Sequence, residues 1–167
     1  MTRLREQIET TLPIDDVFAF IADFANSMAW DPGTATSERI DAGPVGVGAR
    51  FRLGVRMGGR VVPMEYRITT FEPPRRVILS GSGSGVAAVD EIRFEPLGAG
   101  TRVLYTADIR LGGPMRLVQP FLGGAFAKLA RNAAGGMQRA LEERAAQRGA
   151  ATAADRGSRP ADDGALL

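Results

Sequence analysis

The chain has 167 residues and contains neither cysteine nor histidine. Without cysteine there can be no disulfide, thiol nucleophile or thiolate metal site. Without histidine it lacks the side chain most used for proton transfer near neutral pH, and the commonest zinc ligand, so histidine-based triads are impossible. Any chemistry must run on Asp, Glu, Tyr, Arg, Ser or Thr. No apolar run is long enough to span a bilayer, so no integral membrane contact is expected. The first residues, Met1-Thr2-Arg3-Leu4-Arg5-Glu6, pass straight into a charged alternation with no apolar signal segment, and a cytoplasmic protein is expected. A charge excess is lacking too. The net charge is +2, and the sequence pI of 9.6 follows from arginine as the main base with no histidine to titrate.

Several site classes drop out with these absences. Arg50, Arg52, Arg56 and Arg60 cluster, but without the interleaved aromatics of a single-strand platform, so no nucleic-acid partner is expected. They read as the outer face of a sheet. No set of carboxylates has metal-site spacing. The glycine-serine run at residues 81–85 lacks the Lys-Ser/Thr of a phosphate loop and leads into a strand, so it reads as a hairpin turn. Neither metal nor cofactor is expected.

What is present is one long helical pattern, from residue 113 to about 144. Leu122, Phe126, Leu129, Ala133, Met137 and Ala140/Leu141 recur at steps of three and four, forming one apolar stripe. Pro120 lacks an amide hydrogen, so a short first turn, a bend, and a main helix from Phe121 are expected. Gly123, Gly124, Gly135 and Gly136 each cost the helix roughly 0.8–1 kcal/mol relative to alanine. Two readings suit them: close packing or bending, or room for a ligand beneath the helix.

Upstream the period is two. Leu4, Glu6, Ile8, Thr10 and Leu12 share one face of a first strand that Pro13 ends. Asp15 or Asp16 can cap the next helix, whose apolar side is Val17, Phe18, Phe20, Ile21 and Phe24. A second short helix over residues 26–30 closes at Asp31-Pro32-Gly33, a turn signal. Strands joined by glycine turns follow, with Phe51, Leu53, Val55 and Met57, then Val62, Met64, Tyr66 and Ile68, inward. Ala88, Asp90, Ile92 and Phe94 share a later face, as do Val103, Tyr105, Ala107, Ile109 and Leu111. Short turns require antiparallel neighbours. The fold class is α+β: a curved antiparallel sheet of about seven strands, two short helices and one long C-terminal helix. One domain is expected over residues 1–147, and a disordered tail over 148–167, where apolar periodicity stops.

This order resembles the helix-grip fold. Asp16-Val17-Phe18-Ala19-Phe20-Ile21-Ala22-Asp23-Phe24 with Trp30-Asp31-Pro32-Gly33, Tyr66-Arg67-Ile68, Glu72-Pro73-Pro74-Arg75-Arg76-Val77 and Gly100-Thr101-Arg102-Val103 resemble the polyketide cyclase/dehydrase group of the SRPBCC superfamily. That group is related to START lipid-transfer domains. The resemblance covers about residues 3–145 and implies a cavity between sheet and long helix, open at the end guarded by the short helices and Trp30. It also implies a hydrophobic small-molecule ligand, polyketide- or lipid-like, for a carrier or for a cofactor-free cyclase or dehydratase.

The inward faces fit such a cavity, with Phe51, Leu53, Val55, Met64 and Ile92 opposite Phe121, Phe126 and Leu129; equally, these side chains can fill a dry core. Trp30 reads either as a lid contact or as packing. The inward polar side chains are Glu6, Tyr66, Asp90 and Tyr105. Tyr66, Asp90 and Glu6 are the candidates for proton transfer, Tyr105 for ligand binding. The chain is expected to be a monomer or homodimer.

Overall fold

A computed structural model describes residues 1–117 and 119–157. In chain order the elements are β1 Thr2–Thr10, α1 Ile14–Ala22, α2 Ser27–Trp30, β2 Thr34–Arg39, β3 Arg50–Met57, β4 Arg60–Glu72, β5 Arg76–Gly83, β6 Val86–Leu97, β7 Gly100–Leu111 and α3 Gly123–Gly157. The strands form one antiparallel sheet in the order β1-β7-β6-β5-β4-β3-β2. It curls around α3 as a half-barrel, which is the helix-grip arrangement.

The period-two patterns set the register. Phe51 and Leu53 of β3 stand beside Tyr66 and Met64 of β4, and all four are buried. The hairpin between β3 and β4 turns on Gly58 and Gly59, whose φ angles of 56° and 78° suit the right-handed twist of paired strands. Arg50 and Arg52 point outward and pair with Glu65 and Glu38, so the arginine cluster is a solvated face. α1 wedges Phe18 edge-on between Phe71 and Phe94, with both centroid distances 5.2 Å.

Three local expectations need correction. Pro13 occupies the N-cap of α1, while Asp15 and Asp16 lie in its first turn and act on the helix dipole instead. The bend at Pro120 is drawn out into two 3-10 turns, Gly113–Leu117 and Gln119–Leu122, so α3 begins at Gly123 and not at Phe121. At the other end α3 continues to Gly157, ten residues past the expected boundary at 147, because Ala145, Ala146, Ala150, Ala151 and Ala153 favour helix without any apolar stripe. The rest of the expected tail, 158–167, lies outside the described residues.

α3 packs chiefly on β1 and α2. Its glycines divide. Around Gly123 and Gly124 the space is open, whereas a Cβ on Gly136 would lie 2.4 Å from the Trp30 carbonyl oxygen and 2.6 Å from Pro32 Cδ. Gly136 is therefore a close-approach residue between α3 and the end of α2. Gly136→Ala should destabilise the protein by about 2 kcal/mol despite alanine's helix propensity, since backbone and a proline ring cannot swing aside. A thermal melt checks this. An unchanged or raised Tm would show that α3 can slide away at no cost.

Candidate functional site

The concave face of the sheet is thinned by small residues. Gly81 of β5 stands opposite Ala88 of β6, and Ala107 of β7 opposite Asp90 of β6. Across from them α3 offers Ala130 and Ala133. Between the two layers remains a chamber of about 100 Å³, lined by these alanines together with Leu4, Val55, Met64, Tyr66, Asp90, Tyr105 and Leu129. A void of this order holds about one small ring or a few waters. Met57, Val86 and Leu129 also belong to an adjoining, mainly apolar groove of about 600 Å³. The groove lies between Leu122 with the start of α3 (Ala125, Phe126) and the tips of the β3–β4 and β5–β6 hairpins. The opening is thus at the hairpin-tip end, whereas the resemblance implied the end held by the short helices and Trp30. There Gly136 lets α2 pack directly on α3 and closes the fold.

The polar end of the chamber is built around Asp90, which is only 4% exposed. Tyr105 sits diagonally across the β6–β7 ladder and donates its hydroxyl to Asp90 Oδ1 at 2.9 Å. Tyr66 is placed by a gap. A Cβ at Gly81 would fall 2.5 Å from Tyr66 Cε1, so its ring lies over β5 in the space the glycine leaves. Its hydroxyl also interacts with the Asp90 carboxylate. Burial pushes the Asp90 carboxyl up to about 7, although hydrogen bonds from Tyr105 and Tyr66 favour its charged form. Burial, reinforced by Asp90, raises both tyrosine hydroxyls well above their ordinary range. At neutral pH Asp90 is therefore divided between an acid that donates and a carboxylate that accepts.

A second carboxylate belongs to this group, and sequence reasoning missed it. Asp31 caps the end of α2 and lines the chamber. Its Oδ1 accepts the Gly33 amide at 2.7 Å and its Oδ2 the Thr34 hydroxyl at 3.0 Å. Arg56 fixes the same loop from β3, donating to the carbonyls of Pro32 and Thr34 at 3.0 and 2.9 Å. Burial raises the Asp31 carboxyl despite these donors, and its charge pushes Asp90 further up. The residue looked like ordinary turn chemistry. The signal for it was an acidic residue directly following the single tryptophan.

The other candidates separate by place. Val55, Met64, Tyr66, Asp90, Tyr105 and Leu129 face the chamber, and Phe126 faces the groove beside Leu129. Phe51, Leu53 and Ile92 are buried in the packed core and are not among the lining residues. Trp30, 2% exposed, packs edge-on against Phe24 and Tyr105 at 5.7 and 6.4 Å, so it supports Tyr105 from behind. Glu6 is half-buried opposite Tyr105 on β1 and does not line the chamber. Phe121 is 87% exposed, because it lies in the 3-10 turn before α3 and not in the helix expected to begin there. Among the described residues no three acidic side chains converge as a metal site would require.

No curated protein matches the sequence significantly. Among solved structures, a START superfamily protein from Mycobacterium smegmatis is 14% identical with a TM-score of 0.71, covering 86% of this chain and 99% of its own. The Zhui aromatase/cyclase from Streptomyces sp. R1128 is 18% identical with a TM-score of 0.69, covering 87% and 94%. A protein from Thermus thermophilus is 16% identical with a TM-score of 0.69, covering 84% and 97%. At such identities the likeness is one of fold. The family model described as polyketide cyclase / dehydrase and lipid transport matches residues 1–146, and the chain belongs to that family.

Proposed function

We propose that this protein binds a hydrophobic or aromatic molecule, polyketide- or lipid-like, as a carrier or binding protein. The apolar body of the ligand lies in the groove, and an oxygen-bearing end enters the chamber to meet Asp90, Tyr66 and Tyr105. The observation that carries this reading is the junction of an apolar groove with a buried carboxyl–hydroxyl pair. Ligand pockets have that composition, a mostly apolar wall with a few placed polar groups. A buried carboxyl with no ligand to serve would cost stability for nothing. Titration with a panel of fluorescent fatty acids and polycyclic aromatics tests the proposal, with saturable one-to-one binding expected. Failure of every hydrophobe to bind would overturn it.

A second reading rests on Asp90 specifically. A carboxyl that is half protonated near neutrality is suited to general acid–base work, as in an aldol-type cyclisation or a dehydration. In that case Tyr66→Phe and Asp90→Asn should abolish turnover while binding persists. Full activity in both variants would remove the mechanism.

A further inference from the structure

The surface around the mouth of the groove carries charge of one sign. From residue 109 to 131 the chain contains Arg110, Arg116, Lys128 and Arg131 and no carboxylate. The β3–β4 hairpin adds Arg60, which lines the groove itself. Several arginines elsewhere are neutralised, as Arg3 is by Asp108, Arg76 by Glu72 and Arg102 by Glu9. Among the described residues Arg60, Arg116, Lys128 and Arg131 make no ion pair. The same corner holds the two most exposed large apolar side chains among the described residues, Phe121 and, at 78%, Leu117. Both lie on the turns leading into α3, beside the exposed Pro120, which shares a surface hollow with Arg110 and Arg116.

We propose that this corner is a docking surface for an anionic lipid bilayer, with the groove mouth turned toward the membrane. Leu117 and Phe121 enter the interfacial layer while Arg60, Arg116, Lys128 and Arg131 meet lipid phosphates. Each half of the pattern has a reason. Unpaired cations near an anionic leaflet gain from its surface potential, and projecting apolar side chains gain by leaving water. Charge complementarity selects an anionic partner. The apolar part is a projecting tip, which suits a deformable lipid interface better than a protein partner that would need a preformed pocket. The surface is independent of which ligand fills the groove, and its test addresses it alone.

The experiment is co-sedimentation of the whole protein with vesicles of phosphatidylcholine alone or with roughly 30% phosphatidylglycerol. Binding is expected to the mixed vesicles and not to the neutral ones, and it should weaken as salt is added. The double variant Leu117→Ser/Phe121→Ser should lower partitioning at least about tenfold. The triple variant Arg116→Gln/Lys128→Gln/Arg131→Gln should lower it on the order of a hundredfold at low salt. Arg52→Gln, on the outer face of the sheet, should change nothing. All these side chains are exposed, so unchanged melting curves will show that the variants fold. Absence of binding to the anionic vesicles overturns the proposal, as does binding that neither set of substitutions weakens. Capture by a soluble acidic polypeptide in place of vesicles also overturns it and assigns the corner to a protein partner.

Discussion

Replacing Asp90 by asparagine should make the protein more stable at pH 8, and leave it little changed at pH 3. The folded carboxyl titrates near 7, against an ordinary value of 3.8. Below 3.8 both folded and unfolded chains hold the proton, and Asp90 contributes nothing to pH dependence. Between 3.8 and about 7 only the unfolded chain releases it, so rising pH erodes stability. Above about 7 the loss is complete and constant. At 1.36 kcal/mol per pH unit the ceiling is about 4 kcal/mol, and relaxation around the site reduces what is observed. The charge of Asp31 adds to this upward push on Asp90. Asp41 and Asp108, held low by Arg39 and Arg3, act in the opposite direction, but they are common to both proteins and cancel in the difference. Chemical denaturation of wild type and Asp90→Asn across this range measures the effect. A difference that does not grow between pH 4 and pH 8 would show that the carboxyl is ionised at its ordinary value.

Filling the chamber should remove binding altogether. Ala133 faces a space of about 100 Å³ from α3, and Ala133→Phe places a ring in it. The fold should tolerate this, because an existing void takes up the added volume and no packed neighbour is displaced. A ligand whose polar end must reach Asp90 is then blocked, and affinity should fall at least about a hundredfold, or roughly 2.7 kcal/mol. The same titrations used for the wild type read the result. Undiminished binding in a variant that melts normally would mean that ligands stop in the outer groove and never approach Asp90.

The sheet was legible in the sequence because one face is dry and the other wet. Phe51, Leu53, Met64, Tyr66, Ile68 and Ile92 alternate with charged residues, and that parity also brought out Tyr66, Asp90 and Tyr105 as inward polar groups. Parity could not separate side chains that fill the core from those that face a void. Phe51 and Val55 share a face of β3, yet only Val55 lines the chamber, since the decision rests on the small partners Gly81, Ala88 and Ala107 on other strands. Asp31 escaped notice because its hydrogen bonds from Gly33 and Thr34 are those of any turn aspartate, and its charged neighbours, Arg56 on β3 and Asp90 on β6, come from strands distant in sequence. Phe121 was misplaced because the main helix was expected to begin there, whereas it still belongs to the 3-10 turn Gln119–Leu122.

The strand order also bears on how the chain acquires its shape. Every neighbouring pair but one is a local hairpin or a short connection; the exception is β1, whose partner is β7. β1 is therefore made well before β7, the strand whose amides and carbonyls pair with its own. Closing that long loop carries the largest entropic cost in assembly, and α3, which rests on β1, can seat only afterwards. The half of the molecule that encloses the chamber is thus the last to mature.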